Sequence, residues 1–471
     1  MRAPEGLAKT GGETGARIMR KLPARRSSPC FGAVCAVFDS LRTTHIRGIT
    51  RPLSDLKARI TELLGSTPEE WPALVYSFFF FLLLLCGYYV IRPLRDVVLS
   101  SLGVADAPKV FTLAFVLMLL LLPAYGAIVA KMPRRLFLML CFAAINLILL
   151  GFYAFWDDGA RGHTEAFAFT VFVTVFNLFI VSVFWSFMAD IYTTEQAKRL
   201  FGVIAAGGTI GALLGPLLTS QLVAHIGQAN LLLVTVGLFA LCMVCLGKLL
   251  PWARAQEKLR NRDGEAVIGG GVWAGAKLVF KSKFLFSLVV MTFIGVTIGT
   301  LIYYQRIPLA LAAFPDETKR AAFFAYIDLL TNGFTLLMQF FLVRFILTRF
   351  GVMAMFLIPA IVIALGFVTL LFLPGIMALA LVQAATRAMN FALVQPAKES
   401  LFTRIDRESR YKAKNFIDTA VYRAGDVSLG WASRFLIEAG ISLGQFAILG
   451  IALAAAFGLT GVWVNRLQQK L

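Results

Sequence analysis

Apolar residues in this chain come in blocks long enough to cross a lipid bilayer. A spanning helix needs about 20 mostly apolar residues. Twelve such blocks fall near residues 72–92, 109–130, 136–156, 166–189, 202–224, 229–250, 284–305, 321–346, 352–373, 376–396, 416–437 and 442–464. In lipid, backbone N–H and C=O groups have no water to bond, so each block is expected to close its bonds internally as an α-helix. Ahead of the first block, "LSDLKARITELL" (53–64) has apolar residues at helical spacing and reads as an amphipathic helix at the membrane surface.

These patterns divide the chain. Residues 1–51 are a flexible basic extension; a transit-type peptide, or an upstream start with Met19 as the true one, are the alternatives. Residues 52–70 hold the interfacial helix and 71–250 a first six-helix half. A basic cytoplasmic connector covers 251–282, and 283–471 form the second half.

Composition agrees. The chain is 59% hydrophobic and 15% charged, against about 45–50% and about 25% for soluble proteins. That excludes a cytosolic enzyme and a disordered chain. The net charge of +19, from 45 Lys+Arg and 26 Asp+Glu, sorts by loop. With the N-terminus inside, the inner loops hold Lys131, Arg134 and Arg135, Lys198 and Arg199, and clusters from Lys248 to Lys283 and from Lys398 to Lys414. The outer loops are poor in basic residues, which places both termini in the cytoplasm. The charge therefore records topology, and no nucleic-acid partner is expected.

Nothing in the sequence suggests an enzyme. Cys242 and Cys245 form a CxxC inside an apolar run, with no second CxxC or paired His, so no zinc is expected. Gly207, Gly208, Gly211 and Gly215 lack the strand and the Lys-Ser/Thr of a phosphate-binding loop. Small residues four apart instead allow close helix contact. No metal and no cofactor are expected.

The two halves resemble each other. "YYVIRPL" (88–94) matches "YYQRIPL" (303–309), and "DIYTTEQAKRLF" from Asp190 matches "DRESRYKAKNFI" from Asp406. Both imply an offset of about 215 residues. Six-plus-six pseudo-symmetric halves form the major-facilitator arrangement, with a substrate site near the midplane between them. "GAIVAKMPRR" (126–135) is similar to the loop motif G-x-x-x-D-R-x-x-R-R of those transporters, with Ala130 at the Asp position. The expected fold class is an all-α membrane protein of twelve transmembrane helices in that arrangement.

Charges inside spans are costly and persist where they pair or face a cavity. Arg92, Arg95 and Asp96 surround Pro93, which breaks the helix ladder. Arginine forks suit phosphate or carboxylate oxygens; snorkelling to the interface is the competing reading. Arg387 and Asn390 form a second group in the tenth block. In the eleventh, Asp418, Tyr422 and Asp426 make a stripe at i, i+4 and i+8, with Arg423 beside it. That stripe lines a cavity or forms an internal ion-pair lock. Asp328 and Asn332 make a smaller polar face, and Arg306 is the repeat's counterpart of the Arg92 region.

From about residue 72 to 465 the chain resembles the ATP/ADP translocase (nucleotide transporter) family of plastids and intracellular bacteria, and more closely their homologues in other bacteria. "YYVIRPLRDVV" is similar to its Y-x-I-L-R-x-x-K-D-V segment, through Arg92, Arg95 at the Lys position, and Asp96. "FWSFMADIYTTEQAKRLFG" resembles its F-W-x-F segment through Phe184, Trp185, Phe187, Glu195, Ala197 and Lys198. "KAKNFID" resembles its K-x-K-x-x-I-D through Lys412, Lys414, Ile417 and Asp418. The chain departs from the family where Asn177 and Ile302 stand for intramembrane Glu residues, and near Asp426, where a Lys is replaced.

The resemblance implies a multi-pass protein of the bacterial inner (plasma) membrane that exchanges a nucleotide, or a similar phosphorylated anion, as an ATP:ADP antiporter does. Its partners would be a small anionic substrate and the lipid bilayer, and a monomer is compatible with it. Substrate would be bound by Arg92, Arg95, Asp96, Tyr88, Tyr89, Trp185, Arg387, Asn390 and Arg423. Coupling or gating would fall to Lys198, Arg306, Asp328, Asp418 and Asp426. A proton-coupled transporter of another organic anion, and a non-transporting scaffold, are the alternatives.

Overall fold

The structure is a computed structural model that describes residues 67, 69–129, 134–156, 162–263, 272–402, 413–414 and 416–469. The extension 1–51, the whole amphipathic stretch 53–64, Lys131, Lys412 and the middle of the connector lie outside the described residues.

The described chain is helical throughout. In order it forms α1 (Trp71–Leu102), α2 (Ala107–Val129), α3 (Arg134–Ala154), α4 (His163–Ile191) and α5 (Thr194–Asp263). There follow a short α6 (Val272–Lys281), then α7 (Lys283–Ala313), α8 (Glu317–Phe341), α9 (Val343–Phe372) and α10 (Ile376–Met389). A π-helical turn, Asn390–Val394, carries α10 into α11 (Gln395–Phe402). A second π segment, Phe416–Val421, leads into α12 (Tyr422–Glu438), and α13 (Leu443–Gln468) ends the bundle. Among the described residues, nine helices are long and apolar enough to cross a membrane. One of them, α5, is two helices joined at Gly227, whose φ of 77° suits glycine. These joined helices cover the fifth and sixth apolar blocks. Pro93 does not interrupt α1, which runs unbroken through it.

Local chemistry sets the helix starts. Ser282 accepts a hydrogen bond from the Leu285 N–H, Asp316 from that of Lys319, and Ser442 with Gln445 forms a capping box. Side chains such as Leu147, Phe372 and Leu459 stay exposed on the outer surface, as a lipid-facing surface requires.

A small apolar cluster joins α1, α2, α4 and α7 around Leu99 and Ile307, and there are two larger apolar cores. One joins α1, α3, α4 and α5 around Phe80, Phe142, Phe184 and Phe239. The other joins α7, α9, α10 and α13 around Met355, Phe356, Phe367 and Phe457. The glycine-rich stretch of α5 lies against α1. A Cβ at Gly211 would strike the Leu82 carbonyl, and one at Gly215 the Cys86 carbonyl. Bare glycine thus lets the two backbones meet.

Candidate functional site

Between the two cores lies a cavity of about 880 Å³. α1 and α4 give it an aromatic wall of Phe81, Tyr88, Tyr89 and Trp185; α7, α10 and α12 bring polar side chains, among them Gln383, Arg387, Asn390 and Arg423. α1 brings Arg92 and Arg95.

The charges fall into three groups. In the first, Arg387 donates to Asp328 Oδ1 at 2.7 Å, and Arg92 Nη1 lies 3.3 Å from the same oxygen. The arginines come from α1 and α10, and the carboxylate from α8. Asp328 is buried, so two guanidinium groups at the cavity share one carboxylate behind them.

In the second, Asp96 Oδ1 accepts from Arg95 at 2.6 Å and from the Tyr303 hydroxyl at 3.0 Å. Its Oδ2 accepts from Arg306 at 2.8 Å. The Arg306 guanidinium lies 4.7 Å from the Tyr303 ring centre and 4.4 Å from that of Phe324, favourable cation–π placements. This group ties α1 to α7. In the third, Asp426 accepts from Thr300 at 3.3 Å and from Arg423 at 3.4 Å.

Past the second group, polar contacts seal the end at which α1 finishes. Glu317 accepts from Ser101 and Gln228; Arg320 donates to Ser101 and to the Phe314 and Pro315 carbonyls. Arg434 donates to the Ala105 carbonyl and Trp431 to Thr112. On the surface beside this seal His163 lies 2.7 Å from Asp106. The hydrogen bonds of His163 and Lys109 hold the Asp106 carboxyl below its ordinary pKa. The cavity runs the other way, towards Trp185, Gln339, Gln395 and Lys398. There Glu70, ahead of α1, accepts from Gln196 and Arg199 of α5. Burial raises the Glu70 carboxyl, but the Thr67 backbone N–H, Arg199 and Gln196 outweigh it and leave its pKa lowered.

The structure brings most of the expected residues together. Tyr88, Tyr89, Arg92, Arg95, Trp185, Arg387, Asn390, Arg423 and Asp426 line the cavity. Asp96 and Asp328 stand directly behind its arginines. Arg95 does not snorkel; it is buried against Asp96. Arg306 is not a second Arg92: it turns away from the cavity wall to Asp96. Lys198 departs further. It is exposed, pairs with Glu195 one turn away, and lies apart from the cavity. Asp418 falls in the second π segment, and its side chain lies outside the described residues. Sequence reasoning missed Gln383 and Thr386, cavity-lining residues four and one positions before Arg387. A spacing of four could have found both, Gln383 from Arg387 and Thr386 from Asn390.

A buried, charged cavity between two helical cores, sealed at one end, belongs to a membrane carrier. The family profile described as the Major Facilitator Superfamily matches residues 77–404, and the chain belongs to that superfamily. It is a multi-pass secondary transporter, not an enzyme, which sets aside the scaffold reading. Solved structures share its fold. A single-residue mutant of the nucleoside transporter NupG is 14% identical, with 84% of this chain and 99% of that one covered and a TM-score of 0.60. The POT family transporter PepTSo is 13% identical, with 83% and 98% covered and a TM-score of 0.57. A bacterial homologue of the human lysosomal transporter Spinster, inward-facing and unoccupied, is 14% identical, with 85% and 95% covered and a TM-score of 0.52. No curated protein matches the chain by sequence.

Proposed function

We propose that this transporter moves a nucleotide or a similar phosphorylated anion by alternating access, in ATP:ADP-type exchange. One observation carries the reading: Arg92 of α1 and Arg387 of α10 converge from the two cores on a single carboxylate oxygen at the cavity wall. Guanidinium forks from facing halves suit a multi-oxygen anion. Tyr88, Tyr89 and Trp185 offer faces on which a base stacks, and the fold is shared with a protein described as a nucleoside transporter. The halves 71–250 and 283–471 rock about this site. With both termini cytoplasmic in a bacterial inner membrane, the Ser101–Glu317–Arg320 end is the outer seal and the cavity faces the cytoplasm.

A second reading is proton-coupled transport of another organic anion. It is favoured by the carboxylates Asp426 at the cavity and Asp328 behind its arginines, and by Asn177 and Ile302 lining the cavity where the resembled exchangers carry Glu. Counterflow in proteoliposomes tests both. Vesicles loaded with ADP should accumulate labelled ATP, and Arg387→Gln should abolish this. No exchange with any nucleotide, together with anion uptake driven by an imposed pH gradient, would establish the second reading instead.

A further inference from the structure

Asp96 and Asp328 are both buried carboxylates held by arginines, and they are held differently. Both oxygens of Asp96 are engaged, by Arg95, Tyr303 and Arg306. Asp328 uses one oxygen for both of its arginines. Its Oδ2 is buried without a hydrogen-bond partner, and so is Arg92 Nε. Buried polar atoms are ordinarily bonded, and a structural ion pair fills its bonding capacity. Arg306 Nε in the Asp96 group is unbonded too, so the difference lies on the anion side: Asp328 keeps a spare buried oxygen and Asp96 keeps none.

We infer that Asp328 is a built-in competitor of the transported anion: from behind the cavity wall its carboxylate holds the two guanidinium groups that an anionic group of the substrate draws to the cavity side. The inference rests on the reading of this cavity as an anion site. A phosphoryl group has enough oxygens to engage both forks and the free Arg92 Nε, which one oxygen of Asp328 cannot do. On arrival it takes over the arginines and leaves Asp328 as an unpaired buried charge. A proton from the cavity water resolves that, so one proton accompanies each anion into the site. The groups facing this cluster are Arg92, Tyr88, Tyr89 and Asp96 from α1, Arg387 from α10 and Tyr422 from α12. From α5 the nearest bond is the Ala212 carbonyl, which holds Asn332 one turn along α8. Arg344 and Arg349 of α9 lie about four helical turns or more from Asp328 along the chain.

The test is ligand-induced stabilisation of the purified full chain, read as the shift of its unfolding midpoint with concentration. The probe is ADP, with adenosine as the uncharged control. Removing a competitor raises apparent affinity by the inverse of the fraction of time the site was free. Asp328→Asn should therefore bind ADP about tenfold tighter than wild type, with adenosine unchanged. Equal or weaker ADP binding by Asp328→Asn, where wild type binds, overturns this inference and leaves the anion site standing. A failure of ADP to stabilise either protein overturns both. Should that variant not fold, Asp328→Ser takes its place, read with inorganic sulfate as well as ADP. The sulfate-induced shift should be larger in Asp328→Ser than in wild type, because no carboxylate then holds the arginines. An equal or smaller shift overturns the inference.

Discussion

The repeated segments "YYVIRPL" of α1 and "YYQRIPL" of α7 begin and end alike, yet do different work. Aligning their tyrosines and prolines sets Arg92 opposite Ile307, and Arg306 opposite Ile91. The arginine has moved by one residue. One residue on an α-helix is a rotation of about 100°. Arg92 therefore reaches the cavity, while Arg306 reaches back to Asp96 and the rings of Tyr303 and Phe324. The duplicated pattern supplies one copy that faces the cavity and one that fastens α7 to α1. A shared motif fixes where a helix sits and leaves the direction of each side chain to single-residue register.

That contrast can be broken most severely at the fastening copy. Arg306→Leu removes one of the cations on Asp96 and leaves the buried carboxylate under-compensated, an effect of about 3–5 kcal/mol. Denaturant unfolding in detergent should show it, even without ligand. Arg92→Gln and Arg387→Gln should do the reverse, with smaller losses of bare stability. Each should weaken ADP binding by about 10- to 100-fold, the worth of a charge-assisted hydrogen bond at about 1.5–3 kcal/mol. Equal stability losses in Arg306→Leu and Arg92→Gln would sink the division of labour. Tyr303→Phe sharpens it at smaller scale. Losing the hydroxyl on Asp96 should reduce stability by about 0.5–1.5 kcal/mol, whereas Tyr88→Phe in the cavity-facing copy should change it less.

The smallest effect concerns how the two helices begin. α1 starts from Glu70, bound to α5, whereas α7 starts from a local Ser282 cap. Glu70 has a lowered pKa in the folded chain. Its contribution is therefore present above the ordinary carboxylate pKa and is lost as pH falls through the lowered folded value. The stability difference between wild type and Glu70→Gln, measured from about pH 7 to about pH 3, should shrink as the acid limit is approached.

Much of this was legible in the order of residues alone. The apolar blocks foretold the helices, and intramembrane Arg92, Arg387 and Arg423 foretold a charged cavity, because burying such groups in lipid is too costly without one. The meeting of Asp328 with Arg92 and Arg387 was not legible, since it joins α1, α8 and α10 across distant parts of the chain. Arg306 was misplaced because a repeat match tolerates a one-residue slip that geometry does not. Lys198 followed a motif match, and a motif does not say whether its lysine faces a cavity or water. The stripe at Asp418, Tyr422 and Asp426 assumed regular α-helical spacing, and the π segment Phe416–Val421 violates it.

The other π turn, Asn390–Val394, is in effect an α-helix carrying one residue too many. It sits between Arg387, which holds Asp328, and Lys398, farther along the cavity wall. Losing a single codon there, Phe391 for example, would restore a plain α-helix and turn everything beyond it by about 100°. Gln395 and Lys398 would leave the wall while Arg387 stayed. The surplus residue is thus a mutational dial: one deletion resets which side chains line the far end of the cavity and leaves Arg387 in place.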